Sequence, residues 1–232
     1  MQKEVKAQNF KKAVNYLQSS EGKILNHLKK VVSSRNFNYR TFGTDIEEYL
    51  ADVIVKILAG GGFIKSNKDY IISSNKNDFP DLEIKTISPL AIEFKSGNKS
   101  QYRKGKWVTV KNSENDMGTL NEWPRKIEKF GGGSIYYVFV NYNFNDKIKE
   151  VLSVEVLPFY QFIGLNKDKV LKYREKDGNL RPKDFNIEPS IKTFKQFEAL
   201  LNQTIIYRSK RIVKKHSLII KKATQASKIG LS

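Results

Sequence analysis

Residues 78–86 read Asp78-Phe79-Pro80-Asp81-Leu82-Glu83-Ile84-Lys85-Thr86. A turn-forming stretch over 73–80 (SSNKNDFP) runs into a short alternation of apolar and polar residues. That pattern predicts a strand with one face towards a core. Alternate strand residues share a face, so Glu83 and Lys85 are expected on one side, with Leu82, Ile84 and Thr86 on the other. Asp78 precedes the strand, in the turn, where its side chain can swing towards Glu83. Two carboxylates so placed can hold a hard divalent cation such as Mg²⁺, and the nearby ammonium can act on a phosphate or on water. A second Glu-x-Lys, Glu93-Phe94-Lys95, follows ten residues later, and such pairs arise by chance in a lysine-rich chain. What separates the first is its turn-borne Asp78, its flanking apolar residues and the cationic body around it.

Outward from this stretch the chain changes period twice. Residues 1–60 are helical in pattern, with Val14, Leu17, Ile24, Leu25, Leu28, Val31 and Val32 at helix-like intervals. A further amphipathic helix is expected to start at Thr44-Asp45, carry Ile46, Leu50, Val53, Ile54 and Leu58, and end at Gly60-Gly61-Gly62. Residues 63–157 form the sheet region. Strands are expected over 69–73, 82–86, 91–94, 106–111, 135–141 and 151–157, and the apolar run IYYVFVNY belongs inside the sheet. Residues 158–232 begin with loops, including a tight turn at Asp177-Gly178-Asn179, followed by a helix over 193–202. A basic tail over 207–228 then carries eight Lys/Arg and no acid, and its Ile212-Val213 and Leu218-Ile219-Ile220 are expected to pack on the body. Helices, a mixed sheet and a further helix give a single α/β or α+β domain over 1–232, with a central mixed sheet flanked by helices.

Composition limits the chemistry. The 232 residues contain no cysteine, which excludes disulfides, thiolate metal sites and cysteine nucleophiles. The two histidines, His27 and His216, have no ligand-spaced partner. No apolar run approaches the ~18 residues of a membrane span, and the N-terminus lacks a signal-peptide core. A cytoplasmic protein is therefore expected. The net charge of +18 asks for a polyanionic partner, nucleic acid before a membrane surface.

The stretch DFPDLEIKT resembles the active-site motif of the PD-(D/E)xK nuclease superfamily, with the short spacing of the MutH-like branch of type II restriction endonucleases. Asp78, Glu83 and Lys85 match the family's turn Asp and acid-x-Lys in order. Gly43-Thr44-Asp45-Ile46-Glu47-Glu48-Tyr49-Leu50 resembles the branch's helix motif, with Glu47 in register. The literal Pro-Asp is Pro80-Asp81, which leaves Asp81 as the reserve metal ligand. The resemblance implies a restriction-endonuclease-like fold and Mg²⁺-dependent, site-specific hydrolysis of double-stranded DNA. Asp78, Glu83 and Glu47 would then serve the metal, and Lys85 the attacking water. It further implies a bacterial or archaeal source, a homodimer for a palindromic site, and a cognate methyltransferase encoded nearby but not a physical subunit. No small-molecule cofactor is implied. A repair nickase or junction resolvase of the same superfamily, and a non-catalytic nucleic-acid-binding protein, are the competing readings.

Cations interleaved with aromatic and polar residues mark the expected DNA contacts: Arg103, Lys104 and Lys106, then Arg174, Asn179, Arg181 and Lys183, then Arg208 and Arg211. Most would meet phosphates. Arg103, Arg174 and Arg181 are candidates for guanine, and Asn179 for adenine, because their donors can pair with base edges.

Overall fold

A computed structural model describes residues 2–75, 78–87, 89–113 and 115–229, with side chains from 8 to 225. Lys76 and Asn77, inside the expected turn, and the Lys228 side chain lie outside the described residues. Three helices open the chain: α1 (Gln2–Ser19), α2 (Glu21–Ser34) and α3 (Phe42–Gly60). In α3 the side chains of Ile46, Leu50, Ile54 and Leu58 recur every fourth residue and are fully buried. The helix starts earlier than the Thr44-Asp45 expected from sequence. Thr41 stands at the N-cap, and its hydroxyl donates to the Asp45 carboxylate at 2.7 Å. Phe42 can then enter the core edge-on against Phe144, with ring centroids 4.9 Å apart.

The sheet has five strands in the order β1 (Tyr70–Ile72), β2 (Leu82–Ile84), β3 (Leu90–Asn98), β6 (Ile135–Phe144), β7 (Lys149–Pro158). β3 and β6 run parallel, and the other neighbours are antiparallel. A separate hairpin, β4 (Ser100–Arg103) with β5 (Lys106–Thr109), springs from the end of β3. The sequence reading lacked β4 and cut β3 short at Phe94. Both misses come from polar residues, since Lys95 to Asn98 and Ser100 to Arg103 carry little apolar signal and gain their strand geometry from pairing.

Helices α1–α3 cover one sheet face over a core that includes Leu28, Leu50, Ile92, Val138 and Val156. The opposite face packs α4 (Trp123–Phe130), the loops over 159–191 and the first turns of α5 (Phe194–Ile229). There Trp123 stacks on Phe159 at 4.0 Å and its indole N–H donates to the Met117 carbonyl at 3.0 Å. This is the expected mixed α/β architecture, with the sheet between two helical layers.

The C-terminal helix corrects the sequence reading. α5 runs unbroken from Phe194 to Ile229, with no separate helix and tail. Phe197 and Leu201 anchor its start, yet Val213, Leu218, Ile219 and Ile220 are 52–66% exposed instead of packed. Good helix formers, with no glycine or proline before Gly230, carry the helix past the body's edge. Among the described residues no helix is long and apolar enough to cross a membrane.

Candidate active site

The second Glu-x-Lys lies on β3, the middle strand. Strand alternation puts Glu93 and Lys95 on one face and Phe94 and Ser96 on the other. β2 ends its pairing at Leu82, opposite Ile92, so the chain at Asp81 splays from β3 just where Glu93 begins. The Asp81 carboxylate turns back and accepts from the Phe94 N–H at 2.6 Å. Beside it, Lys95 Nζ donates to Glu93 Oε1 at 2.7 Å. The other oxygen, Glu93 Oε2, is buried and has no hydrogen-bond partner.

Glu47 reaches the same region from α3. A Cβ on Gly43 would lie 2.7 Å from Ser96 Oγ and 3.1 Å from the Tyr142 hydroxyl, so only glycine lets α3 come this close to β3. One turn later Glu47 Oε1 accepts from Ser96 Oγ at 2.8 Å. Helix and strand thus converge on one acidic corner, with a lysine at its centre.

The electrostatics match this gathering. Burial, and then repulsion from Glu93, pushes the Asp81 carboxyl up to about 6. Burial likewise pushes Glu47 up to about 7, although Lys95 and the Ser96 hydroxyl oppose the shift. Burial works against the Lys95 ammonium, but Glu93, Glu47 and Asp81 outweigh it and hold its pKa above the ordinary value. Lys126 on α4 completes the ring of charges. Its pKa is lowered, chiefly by burial, against the pull of Glu93, Glu122 and Asp81. Its ammonium sits 4.2 Å from the centre of the Phe79 ring.

The donor set suits a hard divalent cation. Asp81 and Glu93 offer carboxylate oxygens, and the orphaned Glu93 Oε2 is the kind of buried acceptor that an ion satisfies. Among the described residues no three acidic or histidine side chains meet at a single point. Two protein ligands with water in the remaining positions is the arrangement Mg²⁺ favours.

The residues singled out from sequence fall in different places. Glu47 and the reserve ligand Asp81 lie in the cluster. The expected trio of Asp78, Glu83 and Lys85 is not gathered into this cluster. Asp78 is exposed on the loop, and Lys85 is exposed beyond the end of β2, where its N–H donates to the Asp69 carbonyl at 2.8 Å. Glu83 is half-buried in a three-residue strand between β1 and β3. The trio needed a strand running through Thr86, but pairing stops at Ile84, which ends the face that Glu83 and Lys85 were to share. Glu93 and Lys95, which the sequence alone leaves as a chance pair, join the cluster instead. The available signal was Pro80-Asp81 followed by Glu-x-Lys within an apolar strand.

The expected DNA-contact residues form two groups. Arg174, Asn179 and Arg181 all bond to Asp116, at 3.1, 3.0 and 2.8 Å. Arg174 also pairs with Asp177 and Arg211 with Glu175, while Arg208 donates to the Glu175 carbonyl. Lys183 donates to the Ile187 carbonyl at 2.7 Å. These cations are held by protein acceptors. Arg103, Lys104 and Lys106 stand exposed on the β4–β5 hairpin.

No protein-family model matches the sequence, and no curated protein matches it. Among solved structures, the NlaIV restriction endonuclease matches with a TM-score of 0.53 and 15% identity, over 75% of this chain and 67% of that one. At that identity the likeness is one of fold: the chain has a restriction-endonuclease-like fold.

Proposed function

We propose that this chain is a metal-dependent DNA endonuclease whose active centre is built from Asp81, Glu93 and Lys95, with Glu47 behind them. The observation that carries the reading is the buried, partnerless Oε2 of Glu93, whose other oxygen holds the Lys95 ammonium and whose charge raises the pKa of the neighbouring Asp81. A folded protein retains such an arrangement when a ligand completes it. Asp81 and Glu93 would hold Mg²⁺. Held there, the ion would supply Lewis acidity for the scissile phosphate and for a water.

The chain's own groups supply the remainder. Glu93 fixes the Lys95 ammonium on one side, leaving its other protons to orient the attacking water and to stabilise charge on the phosphate. Glu47, tied to Ser96, adds negative charge that favours an ion over an empty site. Lys126 places a second ammonium at the rim, where a phosphate flanking the scissile bond would lie. Water adds to phosphorus and the P–O3′ bond breaks, leaving 5′-phosphate and 3′-hydroxyl ends.

The specific form we infer is a type II restriction endonuclease of double-stranded DNA, acting as a homodimer in the cytoplasm of a bacterium or archaeon and paired genetically with a methyltransferase. The fold shared with an enzyme named as a restriction endonuclease supports the class. Glu47, donated from a helix, favours the MutH-like branch. The test is incubation of unmethylated phage and plasmid DNA with the protein in Mg²⁺ or in EDTA. Discrete fragments in Mg²⁺ alone are expected, and binding without cleavage in Mg²⁺ or Mn²⁺ would overturn the reading.

A further inference from the structure

At the far end of β3 the surface carries a second feature that phosphodiester hydrolysis leaves unused. The β4–β5 hairpin pairs Tyr102 directly with Trp107. Trp107 also meets Tyr39, from the segment just before α3, with ring centroids 5.5 Å apart. The Tyr102–Trp107 distance is likewise 5.5 Å. Both contacts are edge-on, and neither is a stack. Tyr102 is 60% and Tyr39 41% exposed. The Tyr102–Trp107 pair helps to hold the hairpin, yet the exposed ring faces of Tyr102 and Tyr39 remain open to a planar ligand.

Three depressions meet at Tyr102 and Trp107. The largest, about 750 Å³, runs between Tyr39 and Phe144 and is also lined by Asn36 and Asp146. The second, about 540 Å³, carries Arg40 and Arg103. The third, about 510 Å³, carries Lys106 and Lys147. Flat aromatic walls, an amide and a carboxylate within the cavity, and cations on both flanks form a divided chemistry. The walls suit a planar ring, the polar pair suits the edge of that ring, and the flanking cations suit phosphates on either side. A double helix keeps its bases stacked and would meet only the cations.

We infer that this pocket binds an unpaired nucleobase of the nucleic acid, stacked against Trp107 and Tyr102. The inference shares with the nuclease reading only the premise that nucleic acid is the ligand. Asn98 lines the depression that carries Arg40 and Arg103 and lies three residues beyond Lys95, so that depression begins roughly 10 Å along the strand from the candidate active site. That is about three base-pair steps. The base comes either from a single-stranded run or from a nucleotide turned out of a duplex, and the pocket chemistry is the same for both.

The tryptophans make the test direct. The chain has only Trp107 and Trp123, and Trp123 is fully buried. The intact protein is titrated in EDTA, which prevents metal-dependent cutting, with (dT)12, with a fully paired duplex, and with the same duplex carrying one bulged thymine. Saturable quenching of tryptophan emission by (dT)12 is expected, and Trp107→Phe should abolish the quench while retaining binding. Tyr102→Ala, at an exposed position that leaves the fold intact, should weaken (dT)12 binding about tenfold. Quenching by the bulged duplex as well assigns the base to extrusion, whereas quenching by (dT)12 alone assigns it to a single strand. Binding of all three without quenching, or unchanged (dT)12 affinity in Tyr102→Ala, overturns the proposal and leaves a cationic surface only. The titration is read in EDTA without cutting, so a failure of the nuclease reading remains distinguishable from a failure of this one.

Discussion

Glu83-Ile84-Lys85 and Glu93-Phe94-Lys95 carry the same pattern ten residues apart on neighbouring strands. One belongs to a three-residue strand that ends before its lysine. The other lies inside a nine-residue strand at the middle of the sheet. In the first the lysine is solvated, while in the second it is drawn inward among three carboxylates. The difference is one of surroundings. An exposed ion pair gains little and is screened by salt, whereas charges gathered out of water act strongly on each other and on any ligand that enters. The proposed function places the catalytic chemistry with the second for that reason.

The sharpest way to break this comparison is to remove each lysine in turn. Lys95→Ala should lower Mg²⁺-dependent cleavage by about 10³-fold, the scale of losing one preorganised charge that acts on the transition state. Lys85→Ala should leave the rate within about twofold. The acids should divide likewise, with Asp81→Asn following Lys95→Ala and Asp78→Asn following the wild type. The measurement is the single-turnover cleavage rate at saturating enzyme. Equal losses at both lysines would mean that the two strands act together, and the reverse order would restore the β2 site.

The reason the sequence favoured Lys85 while the proposed centre uses Lys95 is physical. A Glu-x-Lys motif specifies which residues share a strand face, but not how long the strand is or what covers it. Glu83 and Lys85 looked better placed because Asp78 sits in an obvious turn. The Asp81–Phe94 hydrogen bond, which brings the acidic corner together, joins the residue before β2 to the middle of β3 and leaves no trace in spacing. The helix acid was easier to read. Gly43 and Glu47 lie one turn apart on a strongly amphipathic helix, so their relation is local. The sheet and its interior strand β6 were legible from apolar runs, whereas β4 and the far half of β3 were not. Neither was the projecting part of α5, because Ile212-Val213 and Leu218-Ile219-Ile220 resemble core residues until the body is seen to end before them.

A second contrast is in response to pH. The Glu47 carboxyl, at about 7, lies above its value in an unfolded chain. Between roughly pH 4 and 7 the metal-free folded state therefore holds a proton that the unfolded state has released. The stability linked to this group is fully present below about pH 4 and is lost as pH rises through about 7. Glu47→Gln removes the titration. In EDTA its stability relative to wild type should rise by roughly 2–3 kcal/mol between pH 4 and pH 8, measured by urea unfolding. Mg²⁺ should shrink the difference by favouring the ionised corner. A relative stability independent of pH would show that Glu47 is not held in this environment.

The smallest effect concerns cations outside the corner, where Lys85 is expected to join Lys214 and Lys221 of α5. All three are exposed, and a surface lysine that meets a phosphate adds to the salt dependence of binding without touching the chemical step. Replacing Lys85 by Gln should reduce the slope of log affinity against log salt by about 1, and the Lys214→Gln, Lys221→Gln pair by about 2. Lys95→Gln, by contrast, should cost rate at every salt concentration. The α5 pair is the more informative arm, because its helix projects beyond the body and contributes only if DNA extends along it. An unchanged slope in that pair, with a reduced slope for Lys85→Gln, would confine the nucleic-acid path to the sheet edge and leave the exposed isoleucines of α5 to another surface.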